Sequence, residues 1–181
     1  MKHIPNILTL MRLCLVPLFA VCFFAVGPTV ALILFLLAGA TDVLDGYLAR
    51  HFGWNSTLGK VLDPIADKSM QCTVLVVLAV ASYIPALLAF LFILKEAMQL
   101  FCGLLFLKFR RDVVVSCWYG KLAICVFYLT VSTTILLPSA WGGSAALLSF
   151  LWIATLAVML GALAGYVYRY AKVAYATKLS K

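Results

Sequence analysis

The chain has 181 residues, of which 66% are hydrophobic and only 11% are charged, and its mean hydropathy is +1.12. A soluble domain cannot bury that much apolar surface, so the composition excludes an ordinary soluble fold and indicates a polytopic membrane protein. The net charge of +8 also suits nucleic-acid binding. Here, however, the basic residues lie at the ends of apolar runs, where transmembrane helices carry them, and we expect no nucleic-acid partner.

Six apolar runs follow one another along the chain, and each is interpreted as one transmembrane helix because about 20 apolar residues cross a bilayer. In chain order the predicted spans cover residues 13–26, 30–48, 61–81, 86–107, 121–137 and 144–167. Gly27-Pro28 ends the first run, a polar connection follows the second, and a tight break ending in Pro85 follows the third. We therefore predict an all-α fold of six transmembrane helices in a single domain over residues 1–181.

The lysine and arginine residues outside these spans indicate how the chain is oriented in the membrane. They fall before the first span, in the connections at 50–60 and 108–112, and after the last span. The connections near 27, 83 and 140 carry none. By the positive-inside rule, both termini and the connection at 50–60 are expected on the cytoplasmic side.

Four of the six acidic residues fall within 26 positions, where Asp42 and Asp45 end the second span and Asp63 and Asp67 begin the third. The spacings of three and four residues put each pair on one face of its helix. Because the connection between these spans is short, the two helices should be antiparallel neighbours. The two acidic faces are then able to meet near the cytoplasmic surface.

The chemistry of four carboxylates allows two interpretations. Ionised carboxylates at the edge of the hydrocarbon are costly unless other groups compensate them. Arg50, Lys60 and Lys68 lie close in sequence, so a plain ion-pair network is one interpretation. The favoured interpretation is divalent metal, since carboxylate oxygens suit magnesium, manganese or calcium. Four carboxylates on two helices suffice for two ions, the arrangement that assists displacement at phosphorus.

The same stretch carries the pattern D-x-x-D-G-x-x-A-R, eight residues, G-x-x-x-D-x-x-x-D, with every fixed position matched. These positions are Asp42, Asp45, Gly46, Ala49, Arg50, Gly59, Asp63 and Asp67. The pattern resembles the signature of the CDP-alcohol phosphotransferases, and the six-span layout extends the resemblance over most of the chain. The resemblance implies an enzyme that transfers a phosphatidyl group from a CDP-linked lipid to an alcohol and releases CMP.

The resemblance also implies roles for the matched residues. Asp42, Asp45 and Asp63 would bind two Mg²⁺ or Mn²⁺ ions. Asp67 would complete the metal site and act as the base that takes the proton of the acceptor hydroxyl. The CDP pocket would be lined by Asp42 together with the other matched positions: Gly46, Ala49, Arg50 and Gly59. Homodimers are usual in the family, so a homodimer is expected as well.

Two further segments resemble the bacterial phosphatidylglycerophosphate synthases within this family. They are IPNILTLMR at 4–12, which in that subfamily forms a short interfacial helix running into the first span, and WYGK at 118–121. This resemblance implies CDP-diacylglycerol as donor, glycerol 3-phosphate as acceptor and the bacterial inner membrane as location. Because such an acceptor brings a second phosphate, five cations are candidates for binding it: Arg12, Lys95, Arg110, Arg111 and Lys121.

Four of these five cations have a second interpretation. Arg12 also fits a side chain that snorkels to the lipid headgroups, and Arg110 and Arg111 fit a patch that faces those headgroups. Lys95 and Glu96 lie deep in the fourth span and also fit a mutual ion pair. The subfamily usually has arginine where this chain has Lys95. Lysine lacks the forked geometry of arginine, which leaves the identity of the acceptor open.

Three alternative functions stay open on the sequence. The same chemistry with phosphatidylglycerol as acceptor would make the chain a cardiolipin synthase, and inositol phosphate as acceptor would make it a phosphatidylinositol-phosphate synthase. Paired carboxylates inside a membrane also mark ion pathways, so a cation or proton transporter is the third alternative. Against transport, all four aspartates cluster near one face of the membrane.

Overall fold

The computed structural model describes residues 4–52, 59–109, 118–137 and 145–178, with side chains described at 9–44, 65–102, 120–137 and 146–168. Within these ranges the chain forms helices and short turns and no strand, which confirms the all-α prediction. Each predicted span coincides with one helix. The helices are α1 (Ile4–Ala25), α2 (Pro28–Phe52), α3 (Gly59–Val80), α4 (Ala86–Phe109), α5 (Trp118–Leu136) and α6 (Ala145–Lys178).

Local sequence explains where α1 and α3 end. Gly27 has a φ of 142°, a conformation that residues with a side chain rarely adopt, and it separates α1 from α2. Pro28 then occupies the first position of α2, where its missing N–H costs little. α3 ends in a Schellman motif, in which Ser82 is left-handed with a φ of 62° and the Tyr83 amide donates to the Leu78 carbonyl. Both turns therefore follow from residues at the helix ends.

Two helices extend beyond the predicted spans. The expected interfacial helix is not a separate element, because residues 4–12 form the first turns of α1, which continues past Pro17 to Ala25 without a break. The tail after the last predicted span is also helical, since α6 continues to Lys178. Residues 168–178 contain neither glycine nor proline, so nothing in the sequence interrupts the helix there.

The chain divides into two compact units, and the first covers Met1–Leu100. In this unit α1 packs against both α2 and α3. Phe19 of α1 is buried, with its ring centroid 6.3 Å from that of Phe35 on α2, and the ring centroids of Phe23 and Tyr83 are 5.8 Å apart. Small buried residues favour close approach of the helices, and they include Ala31, Ala38 and Ala66. α1 thus holds the two helices that carry the four aspartates.

The second unit covers Phe101–Lys181, and in it α5 packs against α6. Buried hydroxyl groups join the two helices. The Oγ1 atoms of Thr130 and Thr155 are 2.7 Å apart, and Nε1 of Trp152 donates a hydrogen bond of 3.0 Å to Oγ1 of Thr134. Hydrogen bonds between facing side chains are a recurrent means of joining helices in an apolar environment.

One helical stretch among the described residues has both the length and the composition needed to cross a membrane, Ala146–Tyr168 within α6. Three other apolar helical stretches are shorter, at 10–17 residues: Thr9–Ala25, Pro28–Leu44 and Gly120–Leu136. A single such helix also occurs in the cores of soluble proteins and in signal sequences. Six membrane crossings therefore stay a prediction.

Candidate active site

The four aspartates predicted to form the site lie on two helices. Positions 42 and 45 belong to α2 and positions 63 and 67 to α3, with helical backbone at all four. The predicted helical spacings are therefore present, and the two positions of each pair share one side of their helix. The side chains of Asp42 and Asp67 are described, whereas those of Asp45 and Asp63 lie outside the described side chains.

Asp42 forms an ion pair with an arginine from another helix. Arg12 of α1 places its Nη1 atom 2.6 Å from Oδ1 of Asp42 on α2. The Arg12 side chain is 2% exposed, while that of Asp42 is 43% exposed. A snorkelling arginine extends its charged head into water, so that interpretation of Arg12 is wrong. Arg12 instead holds the carboxylate of the first aspartate in the signature, and its binding of an acceptor phosphate stays a prediction.

Asp67 lies within electrostatic range of charged groups from four helices. Its carboxylate interacts electrostatically with four charged side chains: Lys68, Asp42, Glu96 and Arg12. Two of these groups, Arg12 and Asp42, form the ion pair described above. Both α2 and α3 pack against α1, and the approach of their acidic faces to each other stays a prediction.

A buried carboxylate beside Asp67 holds two lysines. Nζ of Lys68 lies 2.5 Å from Oε2 of Glu96, and Nζ of Lys95 lies 2.6 Å from Oε1 of the same carboxylate. The interpretation of Lys95 and Glu96 as a mutual ion pair is confirmed, and the cluster is larger than predicted because Lys68 shares it. Whether Lys95 also binds the acceptor stays a prediction.

The amide of Gln71 lies between the carboxylates of Asp67 and Glu96. In one amide orientation its nitrogen lies 3.4 Å from both oxygens of Asp67. In the opposite orientation the nitrogen donates to both oxygens of Glu96 at 3.3 Å. Sequence reasoning missed Gln71, although its spacing of four residues from Asp67 on a helix is the signal that points to it.

The described side chains do not test the assignment of the remaining predicted site residues. Six of them lie outside the described side chains: Gly46, Ala49, Arg50, Gly59, Arg110 and Arg111. The backbone positions of the first four belong to α2 and α3. Lys121 lies in the first turn of α5 and is exposed. Their assignment to CDP or to the acceptor stays a prediction.

The described part of the site suits a divalent cation. Asp42 and Asp67 supply carboxylate oxygens, the ligands that Mg²⁺ and Mn²⁺ prefer. Among the side chains that the structure describes, no three possible ligands form a group, and Asp45 and Asp63 lie outside that set. The two-ion site stays a prediction.

The chain belongs to the CDP-alcohol phosphatidyltransferase family, whose model matches residues 2–174. This match confirms the resemblance that the aspartate signature indicates, and it extends that resemblance over both compact units.

Named relatives fall into two groups within this chemistry. A probable phosphatidylglycerophosphate synthase of Mycobacterium tuberculosis is 35% identical over 129 residues, which is 66% of this chain and 59% of the relative. A CDP-diacylglycerol–glycerol-3-phosphate 3-phosphatidyltransferase of Yersinia pestis is 44% identical over 80 residues, 42% of this chain and 44% of the relative. A Schizosaccharomyces pombe fusion protein of cardiolipin synthase (CMP-forming) and a mitochondrial hydrolase is 41% identical over 95 residues, 52% of this chain and 16% of the relative. The chain thus covers less than two thirds of the length of each of these relatives.

Proposed function

We propose that this chain is an integral membrane enzyme that transfers the phosphatidyl group of CDP-diacylglycerol to glycerol 3-phosphate. The products are CMP and phosphatidylglycerophosphate, an intermediate of phospholipid biosynthesis. One observation carries the proposal: the fixed positions of a complete family signature lie on α2 and α3, and both helices pack against α1.

Exposed apolar side chains support the location in a membrane. Each of the six helices exposes large hydrophobic residues, among them Val21, Ile33, Val76, Leu87, Leu129 and Phe150. A water-soluble monomer rarely leaves so much apolar surface uncovered. In this proposal all six helices cross the bacterial inner membrane, and both termini and the active site are cytoplasmic. A homodimer is part of the proposal through family resemblance alone.

In the proposed reaction a hydroxyl oxygen of the acceptor attacks the phosphorus that carries the diacylglycerol. A new bond joins this phosphorus to the acceptor oxygen, the bond to the CMP oxygen breaks, and CMP leaves. Asp67 takes the proton of the attacking hydroxyl as general base. Asp67 is suited to this role because 22% of its side chain is exposed, so a substrate hydroxyl can reach it. Glu96, the other carboxylate of the cluster, is buried.

The other residues of the signature would bind the donor. Mg²⁺ or Mn²⁺ ions on Asp42, Asp45, Asp63 and Asp67 would supply the positive charge that stabilises the diphosphate and the leaving CMP oxygen. Arg12 holds Asp42 in place for this role through their 2.6 Å contact. The CDP pocket would be lined by Asp42 with Gly46, Ala49, Arg50 and Gly59, where the arginine has the geometry to contact a phosphate at two points.

Glycerol 3-phosphate is the proposed acceptor because residues 4–12 and 118–121 resemble the phosphatidylglycerophosphate synthases. The names of the M. tuberculosis and Y. pestis relatives point to the same acceptor. The name of the S. pombe relative favours a second candidate, cardiolipin synthesis with phosphatidylglycerol as acceptor. In the glycerol 3-phosphate case the acceptor phosphate would bind among Arg12, Lys95, Arg110, Arg111 and Lys121.

The full chain, purified in detergent and returned to lipid vesicles, tests this proposal. With CDP-diacylglycerol, glycerol 3-phosphate and Mg²⁺ present, we expect CMP release and phosphatidylglycerophosphate in equal amounts. Removal of the metal with a chelator should abolish both products, and added Mg²⁺ or Mn²⁺ should restore them. Asp63→Asn should lower kcat by at least about a hundredfold, since it removes a carboxylate from the proposed metal site.

Parallel acceptors and a flux assay separate the alternatives. Product from phosphatidylglycerol alone would replace the proposal with cardiolipin synthesis, and product from inositol phosphate alone would replace it with phosphatidylinositol-phosphate synthesis. Metal-dependent cation flux across sealed vesicles without CMP release would contradict the enzyme and favour a transporter.

A further inference from the structure

The buried polar groups beside Asp67 form a chain of contacts that the proposed reaction does not yet use. This chain joins α4 to the proposed base through Glu96, Lys68 and Gln71. The amide of Gln71 is 1% exposed, as is Glu96. Buried polar side chains at such positions are costly unless each has a partner, and one path through the partners found here leads to Asp67.

The first link fixes the ammonium group of Lys68. Nζ of Lys68 lies 2.5 Å from Oε2 of Glu96 and 3.9 Å from Oδ2 of Asp67. The Glu96 carboxylate is itself held from its other oxygen by Lys95, at 2.6 Å. Because Glu96 has a lysine on each oxygen, its orientation is set from two directions. Lys68 is therefore held closer to Glu96 than to Asp67.

The second link sets the orientation of the Gln71 amide. Nζ of Lys68 donates to Oε1 of Gln71 at 3.3 Å. An ammonium group only donates hydrogen bonds, so it favours the amide orientation that turns the carbonyl oxygen toward it. The Gln71 nitrogen then faces Asp67, 3.4 Å from each carboxylate oxygen. This orientation also turns the carbonyl oxygen toward the Glu96 carboxylate, so it competes with the opposite one, in which the nitrogen donates to both Glu96 oxygens at 3.3 Å. The Lys68 ammonium opposes that second orientation, because it would face the amide nitrogen there.

We propose that Gln71 is a positioning residue for Asp67, and that Lys68, held by Glu96, selects the amide orientation that donates to it. The donor nitrogen lies 3.4 Å from each oxygen of Asp67, so it favours a carboxylate orientation with both oxygens toward the amide. A general base works best when its oxygen is held in line with the proton that it takes. This inference rests on the proposed function, because it assigns Gln71 to the base of that reaction.

The test compares steady-state kinetics of full-length variants in vesicles that contain CDP-diacylglycerol, with glycerol 3-phosphate and Mg²⁺. Gln71→Met keeps the length of the side chain and removes the amide, and Lys68→Met removes the ammonium that orients it. We expect each to lower kcat about tenfold, with KM for both substrates within about twofold of the wild-type value. Gln99→Met makes the same chemical change on α4 and is the matched control, with kcat and melting temperature unchanged.

The double variant shows whether Lys68 and Gln71 affect kcat through one shared chain of contacts or independently. If Lys68 acts through Gln71, adding Lys68→Met to the Gln71→Met variant should not lower kcat further. The kcat of the double variant then stays about tenfold below the wild-type value. A loss near a hundredfold would overturn the proposal, because it would show that Lys68 acts without Gln71. Wild-type kcat in folded Gln71→Met would overturn it as well.

Gln71→Glu keeps the test decisive if the methionine variant does not fold. Glutamate has the same shape and still accepts from Lys68, but an ionised carboxylate has no donor for Asp67. We expect a loss in kcat of at least tenfold, and wild-type kcat in this variant would overturn the proposal. If the wild-type protein itself releases no CMP, the proposed function fails. If the wild type is active and the Gln71 variants match it, only this inference fails.

Discussion

The Arg12–Asp42 ion pair is unequal, because its two partners differ in their access to solvent. The guanidinium is 2% exposed and the carboxylate 43%. Loss of the carboxylate leaves a buried positive charge without that partner, whereas loss of the guanidinium leaves a carboxylate that water partly reaches. Removing the carboxylate and removing the guanidinium of this 2.6 Å contact should therefore lower the free energy of unfolding by different amounts.

We predict that Asp42→Asn lowers the free energy of unfolding by about 3 kcal/mol and Arg12→Met by about 1 kcal/mol. Thermal unfolding of the detergent-purified variants, followed by loss of helical signal, measures both changes. The double variant should lose less than the sum of the two, since neither charge is then left behind. Equal losses in the two single variants would contradict the unequal burial of the pair.

Sequence predicts some of these residues and not others, for a physical reason. The four aspartates stand out because carboxylates are rare in this apolar chain, and their spacing is a local helical property. The partner of Asp42 is thirty positions away on another helix, and local spacing carries no information on which helices touch. Gln71 is different, since its distance of four residues from Asp67 is local and a search of helical neighbours finds it.

At the scale of helices, α5 and α6 show why a glycine is needed in the WYGK segment. A methyl group added at Gly120 of α5 would contact the hydroxyl of Tyr166 on α6 and come within 3.1 Å of its ring carbon Cζ. Gly120 therefore has a packing role within the second unit. This role explains the glycine without any contact to a ligand.

We predict that Gly120→Ala lowers the free energy of unfolding by about 1 kcal/mol, because the Tyr166 side chain must move to make room. Gly161→Ala on α6 is the matched control, since its added methyl group meets nothing within 4 Å. A helical alanine is intrinsically better than glycine, so this control should be neutral or more stable by up to about 1 kcal/mol.

Melting temperatures of the two alanine variants provide the measurement. Tyr166→Phe in the Gly120→Ala background should recover part of the loss, because it removes the atom nearest to the new methyl group. Equal melting temperatures for Gly120→Ala and Gly161→Ala would rule out this packing explanation.

The helices themselves are predicted well from sequence, and their ends less so. Gly27-Pro28 and the turn after α3 are marked by residues with special backbone preferences, and the structure breaks there. The predicted sixth span, 144–167, agrees with the apolar stretch Ala146–Tyr168, but α6 itself continues to Lys178, because hydropathy falls after position 167 while helix propensity does not. Hydropathy indicates which part of a helix is buried or lies in lipid. It does not indicate where the hydrogen bonds of the helix end.

For the whole molecule, we predict an even number of membrane crossings, with both termini in the cytoplasm. Green fluorescent protein fused to either terminus should fluoresce in bacterial cells. Alkaline phosphatase should be active when fused after Ser82, between α3 and α4, and inactive when fused after Phe109 at the end of α4. Termini on opposite sides of the membrane would contradict six crossings.

α6 has 34 residues and a length of about 50 Å at 1.5 Å per residue, whereas the hydrocarbon layer is about 30 Å thick. In the proposed topology its final turns rise above the lipid on the cytoplasmic side. A small membrane-embedded protein in detergent would offer few landmarks for aligning particle images in electron microscopy. A rigid helical fusion partner joined in register after Lys178 would supply such a landmark outside the micelle.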